Sequence, residues 1–173
     1  MLRPIKRRRD GTYVLRLDED TLDLVRALAA QLDPLLDDPS ADSGLRRLFP
    51  PAHEEDVLAE AAWQIEQGAR LRDSRRAALG ALDQRAEEPM DEERMVAWMQ
   101  GVNALRLVLG ERLGIEGNDD GEADVAEAEA VLEASDDPAA VEEASRRLAA
   151  WQLYDLLSAL VAYAVRALEA GED

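Results

Sequence analysis

The chain has no cysteine. Disulfides, thiol catalysis, thiolate metal sites and cysteine redox switches are therefore excluded for it. Histidine occurs once, at His53, so neither a histidine metal cluster nor an HExxH pair can be built. Aromatics are scarce too: Phe49, three Trp and three Tyr. Leu, Val and Ala must fill most of the interior. Basic residues are outnumbered, 20 Lys and Arg against 38 Asp and Glu, for a net charge of −18. That balance opposes broad nucleic-acid binding, which needs a basic face. No stretch approaches ~18 uncharged apolar residues, so no transmembrane helix is expected. The first residues are basic without an apolar run behind them, which is not the pattern of a signal peptide. The expected location is the cytoplasm.

What remains is 47% apolar and 34% charged, rich in Ala and Leu, a composition that favours helix. At 173 residues, one domain can bury a core without staples. The expected fold is mainly α: a helical bundle of about five to six helices over residues 18–169, preceded by a short N-terminal β-hairpin over 2–17. Asp10-Gly11 supplies a two-residue turn signal, with Tyr13, Leu15 and Leu17 alternating with Val14 and Arg16 beyond it. Asp18 or Asp20 can cap a helix that runs to about Leu36, with Pro34 kinking or ending it. Ser43 can cap a short turn before the Phe49-Pro50-Pro51 corner. A helical region from about Glu54 to Arg85 changes phase near Gly68, which leaves open one bent helix or two. Its expected apolar contacts are Val57, Leu58, Ala61, Trp63, Ile65, Leu71, Leu79 and Leu82. Asp91 can cap the next helix and Gly114 end it. Residues 117–121 read as a loop and Glu122–Glu133 as a weak acidic helix. Asp136 or Asp137 before Pro138 starts the last helix, which runs to about Leu168 and is expected to be buried on several sides.

The central expectation concerns Met95–Leu113. Met95, Trp98, Met99, Val102, Leu105, Leu109 and Leu113 form one apolar stripe at 100° per residue. Arg106 is the only charge between Arg94 and Glu111. Asp155 is the only acid between Glu143 and Glu169. A guanidinium stays charged, so its burial demands a partner. A buried Arg106–Asp155 pair is expected. It reads as a register-fixing contact between neighbouring helices more readily than as an anion site or a switch.

No other constellation carries chemistry. His53-Glu54-Glu55-Asp56 could offer metal ligands, but acids here better serve the start of a helix. No nucleophile elbow, Walker loop or dinucleotide fingerprint appears, and no two carboxylates are singled out for acid–base work. No catalytic, metal or cofactor residue is assigned, and a non-enzymatic protein is expected. Gly101 and Gly110 read as points of close helix packing. Charge does segregate: residues 1–9 carry Arg3, Lys6, Arg7, Arg8 and Arg9 with no acid, whereas 116–145 carry twelve acids and no base. A second basic group is Arg70, Arg72, Arg75 and Arg76. Either basic group can contact an acidic protein, contact nucleic acid, or pair with the acidic segment. Contact with DNA is left open, as is a homodimer through leftover apolar helix faces.

Four stretches together carry a resemblance: RPIKRRRDGTYVLRLD, LRRLFPPAH, WMQGVNALRLVLGERLGI and WQLYDLLSAL. In that order, over nearly the whole chain, they resemble an actinobacterial domain-of-unknown-function family that includes the oxidative-stress transcriptional regulator AosR. The resemblance implies a cytoplasmic regulator of the stress response. Its partner would be a sigma factor or RNA polymerase, and Arg3, Lys6, Arg7, Arg8 and Arg9 would be the contact residues. It also leaves a role beside the Clp protease adaptor as an alternative. Redox sensing in that branch is attributed to paired cysteines, which this chain lacks, so thiol sensing does not carry over.

Overall fold

The computed structural model describes residues 4–115 and 120–170. Helices make up 73% of the chain, in the mainly α arrangement expected. Two short strands come first, β1 (Ile5–Arg7) and β2 (Tyr13–Leu15), paired antiparallel with Ile5 opposite Leu15. Leu2 and Arg3 of the expected hairpin lie outside the described residues. The connection is a three-residue loop, not the two-residue turn expected. Arg8 N–H donates to the Thr12 carbonyl at 2.7 Å, and Gly11 N–H donates to the Arg8 carbonyl at 3.1 Å. Gly11 takes a φ of 87°, which a residue without Cβ adopts at no steric cost. Asp10 accepts from both the N–H and the hydroxyl of Thr12 and so closes the tip.

The period-two reading of β2 is corrected. Tyr13, Val14 and Leu15 are all buried. The reason is a third backbone partner from far along the chain. Tyr13 exchanges hydrogen bonds with Met90 at 2.8 and 2.9 Å, and Glu87 N–H donates to the Leu15 carbonyl at 2.8 Å. The strand is therefore held on both edges and has no free row of donors and acceptors.

Five α-helices follow among the described residues: α1 (Glu19–Leu32), α2 (Val57–Gly80), α3 (Glu92–Arg112), α4 (Asp120–Ala134) and α5 (Pro138–Glu169). Their starts follow local chemistry. Asp18, Asp56, Asp91 and Asp137 each accept from a backbone N–H in the first turn of α1, α2, α3 and α5. Pro34 ends the regular part of α1, and Asp33–Asp37 continues as a 3-10 turn. Asp42, not Ser43, caps the turn Ser43–Leu45. Gly114, at φ 68°, closes α3 while Ile115 N–H donates back to the Gly110 carbonyl at 3.0 Å. Asp120 and Gly121 belong to α4, not to a loop.

The core is aliphatic around Trp98, as the shortage of aromatics requires. Leu22, Val25 and Leu36 meet Leu45, Leu48, Leu82, Met95, Val102, Leu157 and Leu160, all with under 3% exposure. The helix α3 lies at its middle, packed along α5 on one side and α2 on the other. Gly101 is where α2 comes closest: a Cβ there would sit 2.5 Å from the Ala78 carbonyl oxygen. One expectation fails at the edge. One continuous α2 runs through Gly68, and its first half leaves the core with Val57, Leu58 and Ile65 more than 80% exposed. The last helix, α5, meets α3, α4 and β1, with Trp151 on nearly the opposite side from Leu157, Leu160, Ala164 and Ala167, and the surface between them is half-buried or open. By length and composition alone, α5 also reaches what a membrane span needs, with an 18-residue window of mean hydropathy 1.4. The expectation that no stretch would do so is corrected to that extent; in this fold 22% of that window is buried.

Two glycine substitutions separate packing from propensity. Gly101→Ala drives a methyl into a backbone carbonyl that cannot move aside. The expected net loss is on the order of 1–2 kcal/mol, because overpacking outweighs the helix-propensity gain. Gly80→Ala meets nothing within 4 Å and is expected to hold or raise the melting temperature. Thermal unfolding of the two variants side by side checks both.

Candidate functional site

The N-terminal basic residues are brought to the last turns of α5. Lys6, Arg7, Arg8 and Arg9 from the hairpin, Arg16 beyond β2 and Arg166 from α5 surround an open groove of about 920 Å³. Its remaining walls are Ile5, Tyr163, Ala167 and Ala170, with no acid among them. Ile5 is buried and anchors β1 onto α5, which fixes where the hairpin's cations stand. Arg7 lies over the Tyr13 ring at 6.0 Å and Arg166 over the Tyr163 ring at 5.9 Å. Such stacking holds a guanidinium without neutralising it. Arg16 pairs with Glu87 at 3.2 Å. Among the described residues, Lys6, Arg7, Arg8, Arg9 and Arg166 form no ion pair. Self-pairing with the acidic segment is therefore not what the described residues show. Arg3 lies outside them. Sequence reasoning missed Arg16, Tyr163 and Arg166. The available signal was that Arg166 is the only cation in α5 after Arg147.

The second basic group does not form a site. Arg76 is taken up by Asp33 at 3.0 Å and Asp37 at 2.7 Å, tying α2 to the turn after α1. These two carboxylates raise the guanidinium's pKa further above its ordinary value.

The expected Arg106–Asp155 pair does not form. Arg106 is half-buried and chelates Asn103 Oδ1 on its own helix through Nε at 3.1 Å and Nη2 at 2.9 Å. Asp155 is exposed. A long guanidinium stem can leave an apolar stripe and reach a polar neighbour one turn back, so a lone charge in such a stripe needs no partner across the interface.

The desolvated acid is Asp124, one of the twelve in the acidic segment. Its side chain is 13% exposed. Trp151 Nε1 donates to Oδ2 at 2.5 Å and Arg147 Nε donates to the same oxygen at 2.8 Å, with Arg147 Nη2 on Oδ1. Burial pushes this carboxyl up, but the Trp151 and Arg147 hydrogen bonds and the Arg147 charge outweigh it and hold the pKa below the usual value. This cluster clamps α4 onto α5, with Gly121 beneath the Trp151 ring and Ala128 as the buried apolar contact. Trp151 also lines an open hollow with Gly121, Val125 and Tyr154, and Asp124 is not among that hollow's walls.

His53 stands in the corner before α2. Asp56 caps that helix, while Glu60 Oε2 accepts from the N–H groups of Ala52 and His53 at 2.9 and 2.8 Å. Among the described residues, no three of His, Asp and Glu converge to hold a metal ion.

Residues 2–168 match a family described as a domain of unknown function, DUF2017. The chain belongs to that family. Neither a curated protein nor a solved structure matches it. The DUF2017 assignment spans the hairpin, the groove and the α4–α5 clamp alike.

The clamp has a defined pH behaviour. A carboxyl lowered in the folded state contributes stability above its ordinary pKa and loses it as pH falls through the lowered value. Docking of α4 is therefore expected to survive mild acid and fail only below the usual carboxylate range. At neutral pH, Asp124→Asn should speed amide exchange across residues 120–134 roughly tenfold. Exchange in α3 should stay unchanged. Hydrogen-exchange mass spectrometry reads both segments in one experiment.

Proposed function

We propose that the protein is a non-enzymatic cytoplasmic regulator that works by binding another protein, and that the groove between the hairpin and α5 is its recognition surface. One observation carries this reading. A chain with a net charge of −18 gathers six cations around one groove and, among the described residues, lines it with no acid. Five of the six, all but Arg16, form no ion pair among the described residues; like charges held together repel one another, and the arrangement becomes favourable when an anionic partner arrives. The partner's contact segment is acidic and protein in nature. The net charge disfavours a long polyanion, which would also meet the acidic remainder of the surface.

The sequence resemblance to the branch containing AosR supplies the candidate partner. A sigma factor or RNA polymerase at stress promoters fits that resemblance, with the stress signal sensed by means other than thiols. The groove geometry supports a charged docking step of this kind. It requires no group that makes or breaks bonds.

Capture of purified RNA polymerase and sigma factors on the immobilised full chain tests the proposal, with the Clp adaptor and its chaperone ring as parallel baits. Retention at low salt is expected for polymerase or a sigma factor. It should fall at least about tenfold for Arg7→Glu/Arg8→Glu and by a similar factor for Arg166→Glu, because both remove cations from one groove. Retention only on the adaptor baits would reassign the role to the protease system. Equal retention of the wild type and all variants would remove the groove from recognition.

A further inference from the structure

The first half of α2 carries apolar surface that the fold leaves uncovered. Val57, Leu58 and Ile65 are 82%, 83% and 82% exposed, whereas the next most exposed large apolar side chain among the described residues, Leu24, reaches only 41%. Leu58, Ala62, Ile65 and Ala69 fall within ~60° on the helix surface at 100° per residue and form one ridge. Trp63 is half-buried behind it.

The charges around the ridge are polarised along it. Glu54, Glu55 and Asp56 stand at its N-terminal end, and Arg70 and Arg72, with Asp73 beside them, at the other. Glu55, Arg70 and Arg72 have no ion pair among the described residues. A ridge that is acidic at one end and basic at the other is complementary to itself when turned end for end. This is the condition for an isologous two-fold contact.

We propose that α2 binds α2 of a second copy of this chain, antiparallel, through this ridge. With the two-fold axis between Trp63 and Gln64, Leu58 lies over the partner's Ala69 and Ile65 over the partner's Ala62. Each large side chain thus meets a small one. Glu55, just before the first turn, stands at the end of the ridge where the partner's Arg72 lies, at both ends of the pair. Within residues 57–70 this register opposes no like charges, although beyond them Glu54 falls opposite the partner's Asp73; a parallel pairing would bring acid to acid and base to base. The ridge is about 17 Å long, so the dimer is one that separates on dilution.

Sedimentation velocity on the full chain over a concentration series tests this. The expected result is a reversible shift from 19.1 kDa to twice that mass. Ile65→Glu should abolish the shift while circular dichroism stays native, because the side chain is outside the core. Glu55→Lys and Arg72→Glu should each weaken self-association about tenfold, having like charges at both ends. Mixed together, the two variants should restore it as a heterodimer, visible by native mass spectrometry with one copy tagged. A monomer throughout the series, a dimer indifferent to Ile65→Glu, or a mixture with no preference for the heterodimer would each overturn the proposal. So would an Ile65-dependent affinity for lipid vesicles in a chain that stays monomeric.

Discussion

Burial of α3 on several sides is the constraint that the rest of the structure obeys. Met95, Trp98 and Val102 have no exposure, and the helix meets α1, α2 and α5 at once. With no disulfide and few aromatics, stability must come from many aliphatic contacts, each fully buried side chain contributing roughly 1.5–3 kcal/mol. Such a core tolerates no gap between helices. Gly101 lets α2 approach to backbone contact, and Gly110 accepts the edge of the Tyr154 ring from α5 at 3.1 Å from where a Cβ would stand. The hairpin is placed by the same demand. Tyr13 and Leu15 are core residues, and their strand reaches the core by pairing with residues 86–90 just before α3. The basic groove is thus positioned by the core: fixing β2 fixes β1, and β1 carries the cations onto the end of α5.

Most of the helical scaffold was legible because its punctuation is local. Asp18, Asp91, Pro138 and Gly114 act through atoms within a turn of themselves, so spacing alone identifies them. What failed was non-local. Val14 reads as outward-facing until the segment around Met90 is known to lie on the other edge of its strand. Val57, Leu58 and Ile65 read as core residues because periodicity reports an apolar face without saying what covers it. The helix containing them leaves the bundle halfway along.

The charged residues misled for a related reason. Arg106 and Asp155 each stood out as solitary charges in apolar stretches, and solitude in sequence was taken as burial. Arg106 finds Asn103 three residues back, and Asp155 sits on the open side of α5. The acid that does lose water, Asp124, was invisible among its neighbours. Six acids lie in α4, and only contact with Trp151 and Arg147 distinguishes one of them. The groove was half legible. Charge reversal over residues 1–9 marked the hairpin, but the contribution of Arg166 depends on α5 ending beside β1, which a one-dimensional pattern does not contain.

The groove and the α2 ridge differ in the physics that would fill them, and this separates their responses to salt. In the groove, attraction comes from unpaired cations standing around a partly apolar wall, so binding should decay as ions screen it. On the ridge, the centre is Leu and Ile against Ala, and the charges sit at the ends. Screening there removes the bias toward antiparallel pairing but leaves apolar burial, which added salt does not weaken. Elements far apart in the chain carry the two surfaces, and the side chains they share with the core are few: Ile5, Ala167 and, in part, Tyr163. Each can therefore be altered by charge or polarity without unfolding the bundle. A two-fold pairing through α2 would present two copies of the groove on one particle, so a partner with two acidic segments would gain from effective concentration without any new contact.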